Sequence, residues 1–387
     1  MNAALLEAVR YFTRETEIMD ALHVVCGCGR RTEKAWDGRD AGESAVYDLA
    51  SVTKLFTGLT AMRLREEGAL DFSRTVTDYD PRFRNLRDVT VEQLMAFQVQ
   101  VQTDGRIDAQ PDREAALKSL LRAFPVPHPA KRAYSDIPAM ILKYVMEKAA
   151  GESFYSCVRK CVLEPAGMAE TWAKVPEERK KDCLLYAPEY RIENGRRIRR
   201  DSPDRGIPHD PKAEMLQGDT EDLCGHAGLF STARDMERFC RAVLSGKVVS
   251  SGSLAEMAVN RTGKRLEDGT WTQFLGYQCY LHHPDQYFSE IPVYMSPSAF
   301  GIGGFTGNHV SIDPGTDRFS IFLGNRVRNR LTVILPKSGE ACTACGLRAD
   351  GVGRILWEDG SLHASSVNYV HQKDEHLHKV IASLFDE

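Results

Sequence analysis

The sequence predicts an α/β protein: an antiparallel sheet flanked by helices, built from both ends of the chain, with a large, mostly helical insertion between them. Three observations predict it. Strand patterns occur at 21–28 and 45–49 and return only after Tyr277, as QCYL, HVSIDP (309–314) and RFSIFLGN (318–325). Between these stretches, apolar residues recur at helical spacing. With 387 residues, 42% apolar and 27% charged, the chain can bury a large core and is too apolar for disorder. The sheet region is therefore expected over 1–50 and 270–387 and the helical region over 51–269. The cleft between them is the natural place for a site.

The elements follow in order. MNAALLEAVRYFTRETE places Leu5, Val9 and Phe12 on one helix face, and its charges interrupt the apolar run that an export signal would need. Residues 21–28 (ALHVVCGC) and 45–49 read as strands joined by a Gly- and charge-rich turn over 30–42. Val52, Leu55, Phe56, Leu59 and Met62 mark a helix capped by Gly68. The stretch 90–150 reads as mostly helical, ending on a face of Ile137, Met140, Ile141, Tyr144 and Val145 before Gly151. A further helix carries Phe154, Cys157, Val158, Cys161 and Val162 and stops at Pro165. Residues 171–218 lack periodicity and read as long loops. Thr232 and Asp235 form a capping box for a helix reaching Gly246. Pro314–Asp317 makes a hairpin turn, 336–366 reads as an insertion, and a final amphipathic helix is expected over 374–384.

Charge and cysteines narrow the function classes. Lys and Arg total 50 against 54 Asp and Glu, a net charge of −4, which excludes a strongly basic nucleic-acid binder. No run approaches the roughly 20 apolar residues of a membrane span. The expectation is a cytoplasmic protein whose ten cysteines are mostly buried, reduced thiols. Cys342 and Cys345 have metal or redox spacing, yet no second pair completes a zinc site. No metal and no cofactor are expected, and the sequence leaves the oligomeric state open.

The chemistry-bearing pattern is Asp48-Leu-Ala-Ser51-Val-Thr-Lys54 at a strand-to-helix junction. A serine hydroxyl needs a base, and a residue three places along a helix shares its face, so Lys54 can reach Ser51. The helix N-terminus offers N–H groups to a developing oxyanion. On spacing alone, a capping serine beside a surface lysine is the commoner meaning.

The neighbourhood changes that balance. DLASVTKLFTGLTAMRLREEGALDF, Tyr134-Ser135-Asp136 with its helix, VLEPAGM (162–168), GHAGLFSTARDM (225–236) and FGIGGFTGNHVSIDP (300–314) stand in one order over about 20–330. Together they resemble the serine β-lactamase and penicillin-binding protein superfamily, in its branch of class C β-lactamase-like esterases and peptidases. The resemblance implies a β-lactamase/transpeptidase-like fold with Ser51 as nucleophile, Lys54 as its base or proton shuttle, and Tyr134 as a second proton-handling group. Lys54 would bring the phenol of Tyr134 down toward a useful pKa. Asp136 stands where many relatives have Asn; beside Lys54 it would favour the ammonium and shift the base role to Tyr134, its bland alternative being a helix N-cap.

The third motif departs from the family. Ile302-Gly303-Gly304 replaces Lys-Thr-Gly or His-Thr-Gly, so cation and hydroxyl are both missing, while the Phe305 N–H can still complete an oxyanion hole with that of Ser51. Ile302 offers nothing to a carboxylate. The expected function is a serine hydrolase forming a Ser51 acyl-enzyme, an esterase or acyl transferase on a neutral small-molecule acyl substrate. The alternatives are a D-amino-acid peptidase or weak β-lactamase, and a catalytically silent binding member. Residues 94–103, where relatives usually read His-Thr-Ser-Gly-Leu, imply an unusual cleft rim. Two features are set aside: His371, Asp374, Glu375 and His378 read as a solvated helix face, and His209 and His226 read as structural.

Overall fold

The computed structural model describes all residues except 128–131, 195, 285–289, 336–347, 350–353, 357–359, 361, 367–368 and 386–387. The N-terminal helix α1 (Ala3–Arg10) starts where Asn2 accepts a hydrogen bond from the Leu5 N–H. β1 (Ala21–Cys28) and β2 (Arg31–Gly38) form a hairpin. β3 (Val46–Asp48) leads through a tight turn, Ala50–Val52, into α2 (Thr53–Glu66). α3 (Ile137–Ala150) closes on left-handed Gly151, whose N–H returns to the Glu147 carbonyl. Then come β4 (Glu189–Glu193), β5 (Arg196–Arg200), α4 (Pro211–Leu216), β6 (Phe230–Thr232) and α5 (Ala233–Leu244). β7 (Tyr280–Leu281), β8 (Phe300–Gly303), β9 (His309–Asp313), β10 (Arg318–Gly324) and β11 (Arg330–Leu335) precede a helical run from Tyr369 to Ser383.

The main sheet has six strands in the order β7-β8-β9-β10-β1-β2, with every neighbouring pair antiparallel. N- and C-terminal segments meet where β1 pairs with β10, Leu22 opposite Gly324. β1 is buried along nearly its whole length because helices cover both faces. Leu22, Val24 and Cys26 pack with Leu5, Val9, Phe12, Leu377 and Ile381, while Ala21 and Val25 join the main core with Phe56 and Phe239. α2 runs through that core with 11 of its 14 residues buried, Lys54 among them. Among the described residues, no helix is long and apolar enough to cross a membrane.

Several sequence expectations need correction. The stretch 30–42 is not one turn, because β2 occupies Arg31–Gly38 as a charged edge strand. β3 lies outside the main sheet and pairs with β6, which also pairs with Thr171–Trp172. Within 90–150, Gln100–Gln102 and Phe124–Val126 form a small hairpin. The supposed loops of 171–218 hold the β4–β5 hairpin, and β4 pairs in parallel with β11. The C-terminal helix begins at Tyr369, earlier than expected. In 336–366, the described pieces Arg348–Ala349, Arg354–Leu356 and Leu362–Ala364 pair as a small antiparallel sheet; Cys342 and Cys345 lie outside the described residues. The other eight cysteines are unpaired, and all but Cys28 are buried.

Candidate active site

The turn that presents Ser51 is held from both sides. Ala50 has a left-handed backbone, φ 47°, which costs an alanine about 1–3 kcal/mol and persists only where surroundings enforce it. Here Asp48 does so. Its buried carboxylate accepts the Ala50 N–H at 2.9 Å and the His209 N–H at 2.7 Å. Its carbonyl accepts from the Thr306 hydroxyl at 3.1 Å and from the Asn308 amide. Residue 48 therefore ties the serine turn to the loop after β8. Burial raises the Asp48 pKa, opposed by those two N–H donors.

Lys54 is fully buried and spends all three ammonium protons: on Ser51 Oγ at 3.1 Å, Asp136 Oδ1 at 2.7 Å and the His226 carbonyl at 3.1 Å. Tyr134 presents its ring face to the ammonium, 4.8 Å from centroid to Nζ, and the neighbouring Ser51 hydroxyl acts to lower its pKa against burial. Folding thus brings Ser51, Lys54, Tyr134 and Asp136 together. Asp136 precedes α3 but makes no side-chain cap; its oxygens turn to lysines, which removes the N-cap alternative.

The electrostatics reverse one expectation. Burial lowers the Lys54 pKa more than Asp136 raises it, and burial, with help from the Asp136 charge, drives the Tyr134 phenol well above its ordinary value. The phenol is not brought toward neutrality, because an aromatic wall desolvates it: Phe97 and Tyr280 lie 5.5 and 5.3 Å from its ring. Of the two candidate bases, Lys54 loses its proton more readily. Phe97 stands in the altered 94–103 stretch, with a left-handed φ of 54°.

Sequence reasoning missed the next layer. Lys212 Nζ sits 3.1 Å from Asp136 Oδ2 and 3.3 Å from Asp210 Oδ2, and Asp210 also pairs with His226 Nε2 at 2.9 Å. The site is an alternating row of charges: Lys54, Asp136, Lys212, Asp210, His226. The Asp210 carboxylate raises the His226 pKa to about 9 against the effect of burial. Asp136, Asp210 and His226 are close enough to share a metal ion, but both carboxylates are already paired with the Lys212 ammonium. The only sequence signal was the Asp210-Pro-Lys212 start of α4, where Asp210 caps the helix.

Ile302 is fully buried in the core, and the end of β8 packs on the serine turn. A Cβ at Gly304 would lie 2.9 Å from the Leu49 carbonyl and 3.4 Å from the Ala50 Cβ, so the strand approaches that closely only as glycine. Arg191 and Arg326 lie over the Phe305 ring at 5.3 and 4.9 Å, and Arg326 Nε donates to the Phe305 carbonyl at 2.7 Å. A cavity of about 410 Å³ opens here, with Ser51, Tyr134, Asp136, Gly304 and Phe305 in its wall. Basic side chains reach it from other elements, including Arg106, Arg132 and Arg326, so the loss of the third-motif cation does not leave it without positive charge. Elsewhere, His378 Nε2 faces Asp374 at 3.4 Å.

A family model described as Beta-lactamase matches residues 9–335. A Salmonella gallinarum protein named "Putative D-alanyl-D-alanine carboxypeptidase" is 25% identical over 324 residues, covering 74% of this chain and 70% of its own. A Salmonella typhi protein of the same name matches equally. Solved structures share the fold. EstCE1, described as a hydrolase with promiscuous acyltransferase activity, has a TM-score of 0.64 at 17% identity over 89% of this chain and 98% of that one. A class C beta-lactamase gives 0.60 at 14% identity over 83% and 92%.

Proposed function

The chain belongs to the Beta-lactamase family, and from that premise we propose that it is a serine hydrolase working through a Ser51 acyl-enzyme. One observation carries the reading: Ser51 Oγ lies 3.1 Å from a fully buried lysine at the wall of an open cavity. Neutral Lys54 takes the Ser51 proton as Oγ attacks the acyl carbon. The oxyanion receives the N–H groups of Ser51 and Phe305. Tyr134, a phenol at working pH, relays a proton to the leaving group, which departs to leave an ester on Ser51. Water or another acceptor then attacks by the same route in reverse.

Ile302, buried and apolar, supports an acyl substrate without a carboxylate beside the scissile carbonyl, so an esterase or acyl transferase is the leading activity. A second reading, a carboxypeptidase, is favoured by the basic side chains of the cavity and by the names of the Salmonella relatives. A fluorophosphonate probe tests the common premise: it labels the wild-type protein and spares Ser51→Ala. Equal labelling of both overturns it and leaves the silent binding member. p-Nitrophenyl butyrate against nitrocefin and a D-alanyl-D-alanine peptide then separates the readings. Turnover dominated by the peptide or nitrocefin removes the esterase.

A further inference from the structure

The place vacated by the third motif is not empty. A Cβ built on Gly303 would stand 2.8 Å from Glu290 Oε2 and 3.4 Å from its Cδ. Gly303 does not have a left-handed backbone, so its glycine answers to space and not to conformation. The carboxylate of Glu290 occupies the room that a hydroxyl-bearing side chain at 303 would need. It arrives from the segment before β8, and the C-terminal helix holds it. Lys373 Nζ, with a side chain only 2% exposed, donates to Glu290 Oε2 at 3.2 Å. Lys373 also faces His309 Nδ1 at 3.4 Å, and His309 is paired opposite Gly303 in the sheet. Burial and the Lys373 charge keep that imidazole neutral. Among the described residues, Glu290 Oε1 has no hydrogen-bond partner, and the residue lines the same cavity as Ser51 and Tyr134.

A lysine or histidine followed by threonine attracts a carboxylate; a glutamate in that place repels one and accepts N–H donors. Gly303 ends β8 two residues before Phe305, which stands in the turn that follows, so the two lie no further apart than about 7 Å, the reach of two extended residues at roughly 3.4 Å each. We propose that Glu290, anchored by Lys373, is the specificity residue of this cavity and receives an ammonium group a few bonds from the scissile carbonyl, as in an aminoacyl ester or amide. This rests on the acyl-enzyme reading above and narrows its substrate class. Four basic side chains of the cavity wall are engaged elsewhere: Arg106 with Asp108, Arg191 with Glu189, Lys212 with Asp136 and Asp210, and Arg326 with the Phe305 and Ser366 carbonyls.

The test is a charge series of methyl esters followed by acid release: alanine methyl ester in both enantiomers, methyl butyrate, and monomethyl succinate. Wild-type kcat/KM is expected to favour one alanine ester over the succinate at least tenfold, mainly through KM. Glu290→Gln lowers that ammonium-to-carboxylate ratio at least tenfold, and Glu290→Asp restores part of it. A wild-type preference for succinate, or a ratio that Glu290→Gln leaves alone, overturns the inference. Should Glu290→Gln fail to fold, the wild-type order alone decides. Probe labelling that depends on Ser51 without charge discrimination sinks this inference only. A protein that the probe does not label sinks the acyl-enzyme reading and this inference with it.

Discussion

The two walls of the cavity are built on opposite principles. On the helical wall, the groups we propose for the chemistry are side chains held by their neighbours: Lys54 has three acceptors, and behind it Asp136 has two lysines and Asp210 a lysine and a histidine. On the strand wall, 302–304 contribute an apolar core residue and two glycines, so what faces the cavity there is backbone and the side chains of distant residues. Acid–base chemistry needs protonation states fixed by buried neighbours, which tolerate little change. Substrate choice needs only a surface, which Glu290, Lys373 and Arg326 can supply from segments with no common motif. One family site can therefore keep its chemistry while its substrate changes.

The sharpest way to break the contrast is Tyr134→Phe. The ring keeps its packing on Phe97 and Tyr280, so the protein should fold, while the proton relay to the leaving group is lost. With an alkyl ester, whose leaving group needs that proton, kcat should fall about 100-fold; with a p-nitrophenyl ester, whose leaving group does not, by only about tenfold. Equal, near-normal turnover of both would take Tyr134 out of the mechanism.

Lys212→Met probes the same wall more gently. Lys212 shares Asp136 with Lys54 and adds a positive charge nearby, and both effects lower the Lys54 pKa. The groups facing Lys54 are Asp136 from the start of α3, Asp210 and Lys212 from the start of α4, Tyr134 and Ser51; its third partner, from His226, is a carbonyl. Without Lys212 the whole Asp136 charge falls on Lys54, its pKa rises, and the neutral base forms at higher pH. The acid limb of kcat/KM should move up by about one pH unit, a tenfold loss on that limb that shrinks as pH rises. Lys212→Arg should bring the limb back. A uniform loss at every pH would make Lys212 merely structural.

How much of this was legible in the sequence differs between the walls for the same physical reason. On the helical wall Ser51, Lys54, Tyr134 and Asp136 were readable only because the segments around them resemble family motifs standing in one order along the chain, and the sheet because β9 and β10 alternate around an apolar core. β4 and β5 were missed because their alternation sets charge against charge, EYRIE against RRIRR, and because β11 pairs with β4 from about 140 residues away. Glu290 and Lys373 were missed because nothing local marks them, and Lys212 because Asp210-Pro-Lys212 signals only a helix start: each acts only through a residue that folding brings near. The expected lowering of the Tyr134 pKa failed because a sequence shows a neighbouring charge but not the desolvation that outweighs it.

On the strand wall, Gly304→Ala and Ile302→Val should part company although they are two residues apart. The alanine methyl at 304 would meet the Leu49 carbonyl at 2.9 Å, a backbone atom that can retreat only by moving the turn carrying Ser51. It should cost about 1–3 kcal/mol of stability and, because the turn moves, a further drop in kcat. Ile302→Val removes one methylene from a fully buried site and should cost about 0.5–1.5 kcal/mol, a few degrees in melting temperature, with kcat/KM unchanged for every ester in the charge series. That smallest effect is the most discriminating. If shortening Ile302 alters the preference between ammonium and carboxylate esters, the residue touches substrate after all, and the division into a chemical wall of side chains and a strand wall of backbone is wrong.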